Sequence, residues 1–133
     1  MNELEFLDPA GWKPARGYAN GIAASGRTVF LGGQIGWTGQ QVFESDDFVD
    51  QVRQALENIV AVLAEAGGTP DRIVRMTWFI TDKAEYVARL KEIGETYRAV
   101  IGRHFPAMTM VQVTALIEDR AKVEIEATAV LAE

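Results

Sequence analysis

The sequence predicts a single α+β domain in which two amphipathic helices cover one face of a mixed β-sheet. Three observations predict it. Apolar residues recur at three- and four-residue steps in two separate segments, β-rich runs precede, separate and follow them, and no linker or repeat divides the 133 residues. The composition agrees, with 48% hydrophobic residues, enough for one core and too little chain for two.

The elements follow in order. Residues 1–16 read as an irregular lead-in, because Pro9, Gly11 and Pro14 discourage regular structure. Tyr18 to Ala24 reads as a strand, Ser25-Gly26-Arg27 as a tight turn, and Thr28 to Gly33 as the partner strand. Gln34 to Gln41 carries two more glycines and reads as a loop. Ser45 is placed to cap the first helix, with Asp46 and Asp47 in the first turn where the helix dipole favours negative charge. Phe48, Val52, Leu56, Ile59 and Leu63 give its apolar stripe, and Gly67 is its stop. Ile73 to Ile80 reads as a strand. Asp82 with Glu85 forms a capping box for a second helix, striped by Tyr86, Leu90, Ile93, Tyr97 and Ile101 and ended by Gly102. Met108 to Ala115 and Lys122 to Leu131 close the chain as two strands joined by the charged turn Glu118-Asp119-Arg120. The order is ββαβαββ. Half-apolar strand faces, such as that of Met108, Met110, Gln112 and Thr114, suggest burial against another subunit and hence a homo-oligomer.

Composition excludes whole classes of chemistry. The chain has no Cys and one His, His104, so thiol nucleophiles, Cys-ligated metals and multi-His metal centres within one chain are out. No metal or cofactor is expected, since no GxGxxG or P-loop pattern is present either. His104 itself reads as a structural residue near the end of the second helix. The net charge of −6, from 13 basic and 19 acidic residues, has no basic run to offset it and disfavours nucleic acid. No apolar stretch approaches the ~20 residues of a membrane span. The acidic Met-Asn-Glu-Leu-Glu start is unlike a signal peptide, so the expected compartment is the cytoplasm.

Carboxylates, tyrosine hydroxyls and backbone amides remain as candidates. Glu124 and Glu126 share one face of the last strand. If that face lines a closed cavity, the pair suits acid–base work; the alternative is a solvated edge shared with Lys122. Gly32 and Gly33, before Gln34 and Ile35, either present backbone N–H groups to a ligand or form a bent strand end. By residue type alone Tyr18, Trp37, Met108 and Met110 read as packing.

Together these pieces form a pattern. Gly33-Gln34-Ile35 follows the second strand, and Gln54-Ala55-Leu56-Glu57-Asn58-Ile59 lies in the first helix. Val74 to Asp82 (VRMTWFITD) comes next, then Phe105-Pro106-Ala107 and Val123-Glu124-Ile125-Glu126-Ala127. In this order, nearly end to end, the chain resembles the reactive intermediate deaminase family, the RidA (YjgF-like) proteins. The resemblance implies a chorismate-mutase-like fold and a homotrimer with a central β-barrel. It also implies three intersubunit clefts that take a small molecule, and hydrolysis of enamines and imines without metal or cofactor. It puts the family's tyrosine on Tyr18, its water-positioning glutamate on Glu124, and its loop amides on Gly32, Gly33, Gln34 and Ile35.

Four positions depart. Where the family has a carboxylate-binding arginine this chain has Met108, and two residues on, where a cysteine is common, Met110. Gly32 replaces the cleft serine and Gly94 the cleft asparagine. A charge-assisted carboxylate–arginine pair is worth ~1.5–3 kcal/mol, so its loss costs about ten- to over a hundredfold in affinity. The expected cleft is therefore wider and more apolar, unsuited to 2-aminoacrylate-like imines, unless Arg16 or Arg120 supplies the missing charge. Two readings follow: a deaminase of atypical substrate, or a non-catalytic trimeric module that binds a small metabolite.

Overall fold

The computed structural model describes residues 3–133; Met1 and Asn2, at the start of the lead-in and of the acidic N-terminus, lie outside the described residues. Its strands are β1 Glu5–Leu7, β2 Gly21–Ala23, β3 Arg27–Ile35, β4 Ile73–Ile80, β5 Ala107–Gln112 and β6 Val123–Leu131. The α-helices are α1 Phe48–Glu65, α2 Lys83–Ala88 and α3 Leu90–Val100. The main sheet runs β3-β6-β4-β5, antiparallel except for the parallel pair β4/β5.

One face of that sheet is the core. Met76, Trp78 and Ile80 of β4 alternate inward with Val123, Ile125, Ala127, Ala129 and Leu131 of β6. Val52, Ala55, Leu56, Ile59 and Leu63 of α1 close over them, all fully buried, and Ile93 and Tyr97 of α3 pack beside them. At roughly 1.5–3 kcal/mol for each large side chain fully buried, this layer is the main favourable term. The opposite face has no helix. It carries Phe30, 81% exposed, beside Thr77, Glu124, Glu126 and Thr128.

The N-terminal reading is corrected. β2 pairs with β1, not with β3, in the register Phe6↔Ile22. The lead-in thus contains a strand too short for periodicity to reveal. β3 instead pairs with the long apolar β6, which gives far more ladder than a three-residue partner. Gly26, at the expected turn, has φ +143, and a Cβ there would stand 2.0 Å from the Leu131 carbonyl oxygen. The glycine is what lets the chain cross the end of β6 at that point. β5 and β6 likewise do not form a hairpin: β4 lies between them, and residues 113–122 bridge the gap. β6 is therefore an interior strand, so Glu124 and Glu126 do not stand on a sheet edge, although Glu126 is solvent-exposed as that reading expected.

Helix caps refine two expectations. Asp47, not Ser45, caps α1, accepting from the Asp50 amide at 3.1 Å, while the Ser45 hydroxyl accepts from Asp47 N–H and donates to Asp50. The C-terminus closes as foreseen: Gly67 at φ +79 donates to Ala64 O, and Gly68 donates to Leu63 O. Asp82 caps the second helical segment through the Glu85 amide. That segment is broken at Arg89, however, where φ is −122° and ψ 27°. The Arg89 guanidinium there binds Asp47 at 2.6 Å and Glu92 at 2.7 Å. A continuous apolar stripe cannot report such a break, because a tertiary ion pair overrides local preference.

The pair has a consequence for acid stability. The Arg89 hydrogen bond, ahead of the opposing effect of burial, holds the Asp47 carboxyl below the usual carboxylate range. A lowered folded pKa stabilises the fold above the unfolded value and loses that contribution as pH falls through the folded one. Asp47→Asn should therefore flatten the fall of the urea midpoint below about pH 4. Parallel midpoint–pH curves for the variant and wild type would show that this pair carries no acid sensitivity.

Candidate functional site

The expected site residues fall into two sets on opposite faces of the sheet. The first is on the open face. In β6, Val123 and Ile125 point into the core, so period-two geometry turns Glu124 outward. Across from it the register of β3 slips between Leu31 and Gln34, which makes Gly32-Gly33 a β-bulge. The bulge presses the backbone against the glutamate: a Cβ on Gly33 would lie 2.1 Å from Glu124 Oε2 and 2.9 Å from its carboxyl carbon. The half-buried Glu124 carboxylate has no hydrogen-bond or ion-pair partner among the described residues. Gly32 and Gly33 are exposed, Gln34 donates from Nε2 to Gly32 O, and Ile35 is buried against the core side. Glu126 lines a hollow with Phe30, Arg75, Thr77 and Gly32 of the bulge, and Glu124 is not part of that lining. The glycine pair is thus a bulge inside β3, not the strand end expected, and Gln34 and Ile35, expected to open a loop, are the last residues of that strand.

The second set is on the helix side, at the β5 edge. Met108 and Met110 pair in register with Met76 and Trp78 and so face α2 and α3. They line a cavity of about 270 Å³ with Trp78, Tyr97, Phe105 and Gly94. Tyr97 stacks on Phe105, ring centroids 5.5 Å apart, and donates its hydroxyl to the His104 carbonyl at 2.6 Å. Burial raises the phenol pKa of Tyr97, and also that of Tyr86 at the same cavity, so both stay neutral at physiological pH. The indole N–H of Trp78 is buried and has no hydrogen-bond partner among the described residues. Tyr18 is 44% exposed in an adjoining cavity of about 330 Å³, bounded by the N-terminal segment, Arg103 and His104. The bridge Ala19↔Ala107 and the Ala19 N–H to Pro106 O bond, 2.9 Å, hold that segment along β5.

One chain therefore brings Met108 and Gly94 together, places Tyr18 next door, and leaves Glu124 on the other side of the sheet. His104 is structural, but not as a helix cap: its Nε2–H donates to Ile73 O at 2.6 Å, and Phe6 meets its ring edge-on. Trp37 packs on Phe43 as expected. Among the described residues no group of His, Asp or Glu is arranged to hold a metal, and no helix is long and apolar enough to cross a membrane.

Of the two arginines considered as substitutes for Met108, neither lines the cavity within its own protomer. Arg120 donates to Asp46 at 2.9 Å and lies over the Phe43 ring. Arg16 lines neither cavity at this edge. The sequence reading missed Arg98, which does line the Met108 cavity. Its one-turn spacing from Gly94 was the available signal.

With this geometry in hand, the comparisons are consistent. A family model described as Endoribonuclease L-PSP matches residues 10–131. The 2-iminobutanoate/2-iminopropanoate deaminase of Salmonella typhimurium is 34% identical over 116 residues, 85% of this chain and 86% of that one. Among solved structures, YyfB of the conserved Rid protein family from Yersinia pestis superposes with a TM-score of 0.86 at 28% identity, covering 96% of this chain and 98% of that one. Escherichia coli TdcF, solved with bound serine, gives a TM-score of 0.70 at 34% identity over 93% of each chain. The mixed α+β domain with its helices on one sheet face is the Rid architecture, and the chain belongs to the RidA/YjgF reactive intermediate deaminase family.

Proposed function

We propose that this protein is a cofactor-independent enamine or imine hydrolase whose substrate differs from the small 2-aminoacrylate type, and that it works as a homotrimer. Glu124 is the water-positioning base. It directs a water at the carbon of the protonated imine and accepts the water's proton as the C–O bond of the carbinolamine forms; it then returns that proton to the amino group and takes up the hydroxyl proton as the C–N bond breaks and ammonia leaves. Exposed amides of the Gly32-Gly33 bulge bind the ligand, and Tyr18 lines the cleft. A second copy of the chain completes the site, because Glu124 and the Met108–Gly94 cavity occupy opposite faces of one protomer. The uncovered sheet face, with Phe30 exposed, supports that packing. The net charge of −6 argues against a phosphate backbone as substrate, despite the wording of the family description.

The observation that carries this reading is the half-buried, unpartnered Glu124 carboxylate held against a glycine bulge. Its test is ammonia release from a panel of imines generated in situ by an amino-acid oxidase. Wild type should accelerate release for at least one bulky member, and Glu124→Ala should fall to the uncatalysed rate. Identical release by the two proteins across the panel, or a monomer in sedimentation, would sink it. The second reading, a trimeric module that binds a metabolite without turnover, is favoured by Met108, Gly32 and Gly94 at family positions; it predicts saturable calorimetric binding with no ammonia.

A further inference from the structure

We infer that Arg98 is a relocated anion anchor, and that the Met108 cavity takes an apolar or aromatic carboxylate. This inference rests on the cleft reading above and names its ligand class. Gly94 and Arg98 stand one turn apart on α3 and line the same cavity. Gly94 has no side chain, and the space is taken by the arginine: Nη1 lies 3.3 Å from where a Gly94 Cβ would be, and Nη2 3.9 Å. Arg98 makes no ion pair among the described residues, whereas Arg89 and Arg120 are both committed to carboxylates. An exposed guanidinium folded over a glycine in a cavity lining, with no carboxylate bound to it among the described residues, is available as a bidentate partner for a carboxylate.

The rest of the cavity sets the remainder of the ligand. Met108, Met110 and Phe105 supply an adaptable apolar wall, and thioether groups accommodate aromatic rings well. Trp78 lines the same cavity, is 2% exposed, and its buried indole N–H has no hydrogen-bond partner among the described residues, so a ligand acceptor atom that reached it would relieve an unsatisfied donor. The volume of about 270 Å³ falls just under the range of about 300–1,000 Å³ for drug-sized ligands, as suits a small metabolite. The charge anchor has thus moved from the strand to the helix. The end of the pocket where relatives are expected to hold carboxylate is left for an apolar body.

The test compares 3-phenylpropanoate with its neutral counterpart 3-phenylpropanamide by calorimetry at low salt. The acid should bind wild type at least about tenfold more tightly, a difference of about 1.4 kcal/mol. Arg98→Ala should erase that preference by weakening the acid about tenfold more than the amide, and Arg98→Lys should retain part of it. Thermal melts check that the variants fold. Equal affinity of wild type for acid and amide overturns the anchor but leaves the Glu124 hydrolase reading intact. Failure of both probes to bind overturns the anchor and the cavity together. Loss of ammonia release in the imine panel is measured separately, so the two failures are distinguishable.

Discussion

Gln51→Leu should lower the unfolding free energy by about 3–5 kcal/mol, a large share of the about 5–15 kcal/mol typical of a domain. Gln51 is 1% exposed on the apolar side of α1. Its Nε2 donates to the carbonyls of Ser45 at 3.2 Å and Arg120 at 3.0 Å, and its Oε1 accepts from Lys122 N–H at 2.8 Å. One amide thus ties the loop before α1 to the crossing segment that feeds β6. Leucine fills similar space but strands three backbone groups, each costing about 1–3 kcal/mol if left dry; partial access of water to the loops keeps the total below the sum. Gly36 shows how tightly the site is built, since a Cβ there would lie 2.5 Å from Gln51 Cβ. Urea denaturation gives the energy, and hydrogen exchange at the Lys122 amide gives the location. A loss under about 1 kcal/mol, with Lys122 still protected, would show that the loops are held by something else.

Gln51 also shows where the sequence was legible and where it was not. The stripe of Val52, Ala55, Leu56, Ile59 and Leu63 announced α1, and Ile73 to Ile80 announced β4 with its boundaries, because burial against one partner leaves a period in the chain. A glutamine amid that stripe carries no such signature; its role depends on two backbone segments, one of them about seventy residues away in sequence. Arg89 is similar, since its break in the second helix answers to Asp47. The pairing of β1 with β2, and of β3 with β6, was hidden for another reason. Strand partnership is settled by competition among all strands, and a nearby turn is only one contestant. At the site, residue type and strand alternation offered Glu124 as a candidate, while Met108 and Gly94 stood out only through the family resemblance. That the first lies across the sheet from the other two is a matter of alternation and register together, which only the folded chain displays.

That separation makes the glycine bulge a sharp probe of the Glu124 reading. Gly33→Ala should lower kcat/KM by about 10²–10⁴-fold, as much as removing the carboxylate, without unfolding the protein. The added methyl would meet Glu124 Oε2 at 2.1 Å and its Cγ at 3.0 Å, so the flexible carboxylate must swing away. Gly33 is exposed and its φ is not in the left-handed region, so alanine costs the backbone little and gains some rigidity in a strand. Stability and activity should therefore part company: a melting temperature near wild type with turnover near background. Shortening the acid offers a way back. In the double variant Gly33→Ala with Glu124→Asp, the retracted carboxylate clears the methyl, and the two losses should combine to less than their sum in a double-mutant cycle. Wild-type turnover in Gly33→Ala would mean that the carboxylate does its work from another position. Strictly additive losses would mean that the bulge and the acid act independently, and the bulge would then be a feature of strand bending alone.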